Sequence, residues 1–237
     1  MRELVRSWGE TPILSQREAG VQSNVLNKRT RARTADVIKR AFLPRFVHGP
    51  IPNAWKLVKP LEEAGASLQL LRPVYFWVTA RSEPLIYDFC VEFLLPRRAL
   101  VQTGIGTPET VAWLRSRGCS WSPTVTTKVA RGLLAALRDF GLLEGRAMKR
   151  LAAAQLPVGA FSYLARCLAH LGLAGGQLVA APDWAIFLLE ISDVEHLYLE
   201  AHQRRLLEYY AAGSVVSIEF PVRTLREYAH VVVERAN

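Results

Sequence analysis

Little in this chain could build a covalent or metal framework. Its 237 residues include three cysteines, Cys90, Cys119 and Cys167. The count is odd, and no two lie close enough in sequence to make a ligand pair. That argues against a disulfide scaffold or a zinc ribbon and for reduced, mostly buried thiols of a cytosolic protein. The sequence lacks a G-x-x-x-x-G-K-[ST] phosphate loop, a G-x-G-x-x-G turn and a G-x-S-x-G elbow, which removes the commonest nucleotide-binding and hydrolase signatures. A long hydrophobic run is missing as well. The most apolar region, Leu68 to Leu95, is interrupted by Arg72, Pro73, Arg81, Glu83, Pro84, Asp88 and Glu92. A spanning helix needs about 20 nearly uninterrupted apolar residues, so no membrane segment is expected. Met1 to Glu10 carries charges and no apolar stretch, unlike a signal peptide, and a cytoplasmic protein is the expectation.

Catalytic groups are equally sparse. The histidines are His48, His170, His196, His202 and His230. His196 and Glu200 stand four apart on an expected helix, but His202 falls on another face and no third ligand is evident, so no metal site and no cofactor is expected. Glu62, Glu63, Asp88 and Glu92 are candidates for a nuclease-type carboxylate set. Scattered acids on helices are mostly surface groups, and the reading is that the chain is not an enzyme.

What the chain does have is positive charge, unevenly placed. Its net charge is +9, with +6 in residues 1–46, −1 in 47–96, +7 in 97–150 and −3 in 151–237. Two basic blocks separated by slightly acidic ones suggest an anionic partner.

The second block contains a helix with both ends marked, Ser122 to Gly141. Ser122 is suited to cap it, Pro123 to open it and Gly141 to close it. Helical periodicity places Val125, Val129, Leu133, Ala136, Leu137 and Phe140 on one face. Thr124, Thr127, Lys128, Arg131 and Arg138 fall on the other, with no acid among them. A shorter amphipathic helix, Pro108 to Arg117, precedes it across a turn, Gly118 to Trp121. Leu142-Leu143, a turn at Glu144-Gly145-Arg146 and Ala147 to Leu151 follow, with Lys149 and Arg150. This is the order of a helix-turn-helix, and a hairpin after it would make a winged helix.

The first block is Asn24 to Phe46, with Lys28, Arg29, Arg31, Arg33, Lys39, Arg40 and Arg45 against one acid, Asp36. It reads as helical from about Thr34, with a buried stripe of Val37, Ile38, Ala41 and Phe42 and an end at Pro44. The run Lys28 to Arg33 reads equally well as a solvated helix end or as a phosphate contact. Elsewhere the pattern predicts helices over Arg2–Trp8, Trp55–Gly65, Leu68–Thr79, Ser82–Leu95, Leu156–Gly172, Ser192–Ala211 and Val222–Glu234. Pro60 and Pro73 are possible breaks, and Val215–Phe220 reads as a short strand. The aromatic residues Tyr75, Phe76, Trp77, Tyr87, Phe89 and Phe93 read as core.

Several patterned segments occur in a telling order. They are NVLNKRTRAR before a helix ending FLPRF, then Trp55 to Glu62, YFWVTARSEPLIYDFCVEFL, and WSPTVTTKVARGLLAALRDFGLL. The ending AAGSVVSIEFPVRTLREYAHVV completes the series. Together they resemble the BrxA family, small DNA-binding components of BREX bacteriophage-exclusion systems. The chain opens short of the family pattern, so an opening strand or helix is expected to be missing.

The resemblance implies a mainly α, multi-helix protein with a winged-helix-like element, similar to antitermination factors of the NusB kind. It implies double-stranded DNA binding without catalysis, beside a methyltransferase, an ATPase and a phosphatase-like protein. Three units are expected: a helical domain with the basic patch over 1–100, the winged helix-turn-helix over 101–155, and a helical lobe over 156–237. Thr124, Thr127, Lys128 and Arg131 are the expected groove contacts, Arg138 a backbone contact, and Lys149 and Arg150 wing contacts. Lys28, Arg29, Arg31, Arg33, Lys39 and Arg40 form the second phosphate patch. With no Asn or Gln on the reading face, sequence preference is expected to be weak. The alternatives are an RNA-binding NusB-like factor and a protein–protein adaptor.

Overall fold

The computed structural model describes residues 1–99, 104–152, 156–213 and 215–235. Both expected unit boundaries, near residues 100 and 155, fall at residues outside those described. The chain is mainly helical, with two small two-stranded sheets among the described residues. In order it forms α1 (Arg2–Ser7), α2 (Ile13–Gln22), α3 (Arg31–Val37), α4 (Trp55–Glu63), α5 (Leu68–Ser82) and α6 (Pro84–Asp88). Then come α7 (Thr107–Ser116), α8 (Pro123–Asp139), β1 (Leu143–Glu144), β2 (Arg150–Leu151), α9 (Val158–His170) and α10 (Gly176–Val179). The last elements are α11 (Ile191–Gln203), β3 (Glu208–Ala212), β4 (Val215–Glu219) and α12 (Leu225–Arg235).

Helix α5 is the spine. Leu70, Leu71 and Val74 to Ala80 are all buried, and the helix packs on α4, α6 and α9. Its aromatic residues enter the core as their spacing predicted, with Phe76 and Trp77 almost wholly covered. Trp77 Nε1 donates to Asp183 Oδ1 at 2.6 Å, which ties the spine to a 3₁₀ segment, Pro182–Phe187. Burying a large apolar side chain contributes about 1.5–3 kcal/mol, so this one helix accounts for a large share of the packing. The N-terminus is fixed to the same core by a charged cluster. The Glu62 carboxylate, fully buried, accepts from Arg2 at 2.7 Å, Arg6 at 2.9 Å and the Tyr75 hydroxyl at 2.9 Å.

The prolines behave differently from their sequence reading. Neither Pro60 nor Pro73 breaks its helix. Each stands at the sixth position of its helix, so the carbonyl it displaces belongs to the first turn, and the buried apolar neighbours hold the helix together. Pro44 does not end the first basic helix either. α3 runs on as a π-helix, Ile38–Val47, with Pro44 inside it, where the bonding is already shifted to i→i+5. The buried residues are Thr34, Ile38, Phe42 and Phe46, spaced four apart, with Val47. Val37 and Ala41, expected in that stripe, are only half-buried.

The C-terminal part corrects a longer expected helix. α11 stops at Gln203, and Arg205 takes a left-handed φ of +57°. Residues 208–212 are β3, antiparallel to β4 with Tyr209 opposite Ile218. Gly213, at φ +61°, turns the hairpin rather than closing a helix. The Tyr-Tyr pair within 208–212 favours strand, and it pairs with the β-branched run already read as one.

Candidate nucleic-acid interface

The region from Ile105 to Ala152 assembles around α8. Ser122 caps the helix, its hydroxyl accepting from Val125 N at 3.4 Å, and Pro123 occupies the first turn. Gly141 sits at φ +84°, the left-handed conformation that glycine adopts without steric cost. α8 buries Thr126, Ala130, Leu133, Leu134 and Leu137, and its main neighbours are α7 and β1. Each buried leucine supplies about 2 kcal/mol, so one face anchors the helix and leaves the other without a structural duty. The buried stripe is rotated from its sequence reading. Val125 is 44% exposed, and Thr126 takes the core position, where its hydroxyl donates to Ser122 O at 3.1 Å.

The turn from Gly118 to Ser122 joins α7 to α8, and α7 is opened by Gly106 N donating to the Glu109 carboxylate at 2.9 Å. After α8, β1 pairs antiparallel with β2, Leu143 opposite Leu151. Ile105 forms a further antiparallel bridge to Lys149. The unit is therefore helix, turn, helix and hairpin, with a third extended residue beside the hairpin.

The expected contact residues divide into four groups. Thr124, Lys128 and Arg131 are exposed, and neither Lys128 nor Arg131 has a hydrogen-bond or ion-pair partner among the described residues. Thr127 is half-buried, with its hydroxyl donating to Pro123 O at 2.8 Å. Arg138 and Arg150 are exposed but paired, Arg138 with Asp139 at 2.8 Å and Arg150 with Glu144 at 3.6 Å. Such surface pairs contribute little stability and open readily. Lys149 is different. It is 6% exposed, and its ammonium donates to Gly145 O at 3.0 Å and to Arg146 O. Carbonyls of the tight turn converge on it, so it braces the hairpin from inside and does not face outward.

Two cations were missed from sequence. Arg115 on α7 and Arg146 in the hairpin turn are exposed, and neither guanidinium has a partner among the described residues. Arg146 stands in the turn that the sequence already marked; Arg115 gave no signal beyond its charge. Arg117, by contrast, is taken up by Asp88 at 2.8 Å and Glu92 at 2.9 Å. Those acids, weighed above as a carboxylate set, are thus engaged in holding α7 to the α6 segment.

The first basic block lies on the other side of α5 in sequence order. Thr30 caps α3, accepting from Arg33 N at 3.2 Å. Helix therefore begins at Arg31, three residues earlier than its sequence reading. Asn24 organises the preceding loop, bonding both Lys28 N and Lys28 O, and accepts from the buried Thr34 hydroxyl. Lys28, Arg29, Arg31, Arg33, Lys39 and Arg40 are all exposed. Arg33 and Arg40 share Asp36, at 3.0 and 2.6 Å. Lys28, Arg29, Arg31 and Lys39 have no side-chain partner among the described residues. Arg31 sits where the helix dipole is positive, which raises the local potential further.

Among the described residues no three or more His, Cys, Asp or Glu converge as metal ligands. His196 and Glu200 line a cleft of about 580 Å³ between α5, the end of α8 and α11. The His202 ring accepts from Tyr209 N at 3.2 Å. No helix among the described residues is long and apolar enough to cross a membrane.

These features define a mainly α-helical protein with two short hairpins and two exposed basic regions. The chain belongs to the BrxA family: the family model of that description matches residues 1–167. Membership makes it a BREX-associated protein, in the setting of antiviral defence. No curated protein and no solved structure matches it. The matched span takes in both basic regions and ends within α9.

Proposed function

We propose that the chain is a non-catalytic, cytoplasmic double-stranded DNA-binding protein of a BREX phage-defence system. In this reading residues 105–152 act as a winged helix, α8 as its recognition helix and β1–β2 as the wing. The observation that carries it is the outward face of α8, where Lys128 and Arg131 stand exposed without partners while the opposite face is fixed in the core. A cation that stabilises no internal contact is free to replace a phosphate counterion. Thr124 and Thr127 lie within reach of the same groove, and Arg138, Arg146 and Arg150 reach the flanking backbone. Lys149 supports the wing from within. The patch around Lys28, Arg29, Arg31 and Lys39 provides a second phosphate site, with Arg33 and Arg40 available once Asp36 releases them. The methyltransferase, ATPase and phosphatase-like components of such a system are the expected protein partners.

The test is equilibrium binding to a fluorescent duplex across a salt series. If about six phosphates are neutralised, log K falls against log salt with a slope near −5. Competition with structured RNA at equal salt separates DNA from RNA as the preferred ligand. A protein that ignores duplexes even in dilute buffer is not a DNA-binding protein, and a partner-binding role would then remain.

A further inference from the structure

An exposed apolar side chain breaks the cationic face of α8. Val125 is 44% exposed in the first turn, and Trp121, also 44% exposed, stands just before the cap. At 100° per residue Val125 lies on the edge of the outward arc that holds Thr124 and Lys128. Two turns further along that same edge is Gly132. Glycine within a helix is unfavourable relative to alanine, and nothing in the fold asks for it there: a Cβ on Gly132 would meet no atom within 4 Å. The position is open space around a backbone that carries no side chain. That combination fits a helix against which an external surface comes close.

We propose that, with α8 in the DNA major groove, its Val125–Gly132 edge lies against the base edges at one side of the groove, with Val125 against a thymine C5-methyl. This rests on the duplex-binding reading above and adds to it the base that is read. The flanking Lys128 and Arg131 supply the charge complementarity that selects a polyanion as the occupant. The thymine methyl is the apolar feature that the major groove displays, and aliphatic side chains recognise it by contact. The face offers no Asn or Gln for paired hydrogen bonds to adenine, and its one acid, Asp139, is held by Arg138 at the far end of the helix, so apolar contact with the thymine methyl is the form of A·T recognition these residues support. Gly132 leaves the helix backbone bare where the groove wall passes, and an added methyl would hold the two apart.

The experiment compares an alternating adenine–thymine duplex with the same duplex made with deoxyuridine, which differs only by the methyl groups. Wild-type protein should bind the thymine duplex about fourfold more tightly, the value of one buried methyl. Val125→Ala should bind the two duplexes alike; its side chain is exposed, so the fold is unaffected. Gly132→Ala should unfold at a higher temperature than wild type, because alanine favours helix, and yet bind the thymine duplex more weakly. Equal wild-type binding to both duplexes overturns the methyl contact while leaving DNA binding standing. A thymine preference that persists in Val125→Ala removes Val125 as the reader. A stabilised Gly132→Ala with unchanged affinity removes the close approach. Absence of binding to either duplex defeats the underlying reading instead.

Discussion

The two basic regions carry similar charge but are built in opposite ways. On α8 the cations stand on a helix whose other face is sealed into the core, and Lys128 and Arg131 have no acid nearby. In the first block the cations are spread over a loop and a helix start, and Asp36 draws Arg33 and Arg40 together. One region holds two unpaired charges on an anchored helix, with Arg138 paired to Asp139 at its end; the other holds four unpaired charges beside two that share an acid. Net charge alone would rank them together. Anchoring ranks them apart, because a cation on a helix fixed in the core has less freedom to lose when it meets a phosphate.

The largest effect should come from reversing the α8 charges. Lys128→Glu with Arg131→Glu should weaken duplex binding by about 100-fold or more and lower the salt slope by about 2, as expected for two lost phosphate contacts and two added repulsions. Fluorescence anisotropy across salt checks both. Next comes the anchor of the N-terminal region. Glu62→Ala should cost about 2 kcal/mol in denaturant unfolding, below the figure for a wholly buried pair because Arg2 and Arg6 keep contact with water. Duplex affinity per folded molecule should change little.

Burial pushes the Glu62 carboxyl up, but the bonds from Arg2 and Tyr75 and the charges of Arg2 and Arg6 outweigh burial and hold it below its ordinary value. Its stabilising contribution is therefore present above the usual carboxylate range and disappears as pH falls through the folded value. A plot of Tm against pH should lose part of its acid limb in Glu62→Gln.

Neutralising Lys28, Arg29 and Arg31 together should reduce affinity by about tenfold, less than the α8 reversal, with a slope change near 3 if all three meet phosphates. An equal or larger loss than on α8 would invert the comparison. The smallest effect is a gain: Asp36→Asn should strengthen binding by about twofold as Arg33 and Arg40 are released, in line with the weak energy of exposed pairs.

Much of α8 was legible because its ends carry side-chain chemistry: a capping serine, a proline where no N–H is needed, and a glycine at a left-handed turn. Its exact rotation was not legible. Thr126 and Val125 are adjacent and similar in shape, and only tertiary packing, with the threonine hydroxyl satisfied by Ser122 O, selects which turns inward. Lys149 looked like a surface cation because sequence does not reveal turn carbonyls folding onto an ammonium. The Glu208–Ala212 strand was hidden by continuity with α11, since no proline or glycine interrupts residues 191–212. The helices through Pro44, Pro60 and Pro73 show the reverse error, where a local breaker is overruled by the core around it. The six N-terminal cations were visible as a group, but the sharing of Asp36 by Arg33 and Arg40 depends on the helix starting at Arg31.

The turn between α7 and α8 contains Cys119, and its surroundings differ from those of the other thiols. Cys90 and Cys167 are buried, and burial pushes the Cys90 thiol up to about 12 and Cys167 higher still. Thiol-selective dyes react with the thiolate and need access to it, so neither buried sulfur competes for a maleimide in the folded protein. Cys119, only half-covered, offers a native attachment point for a fluorophore at the joint of the α7–α8 pair, without engineering a residue in or out.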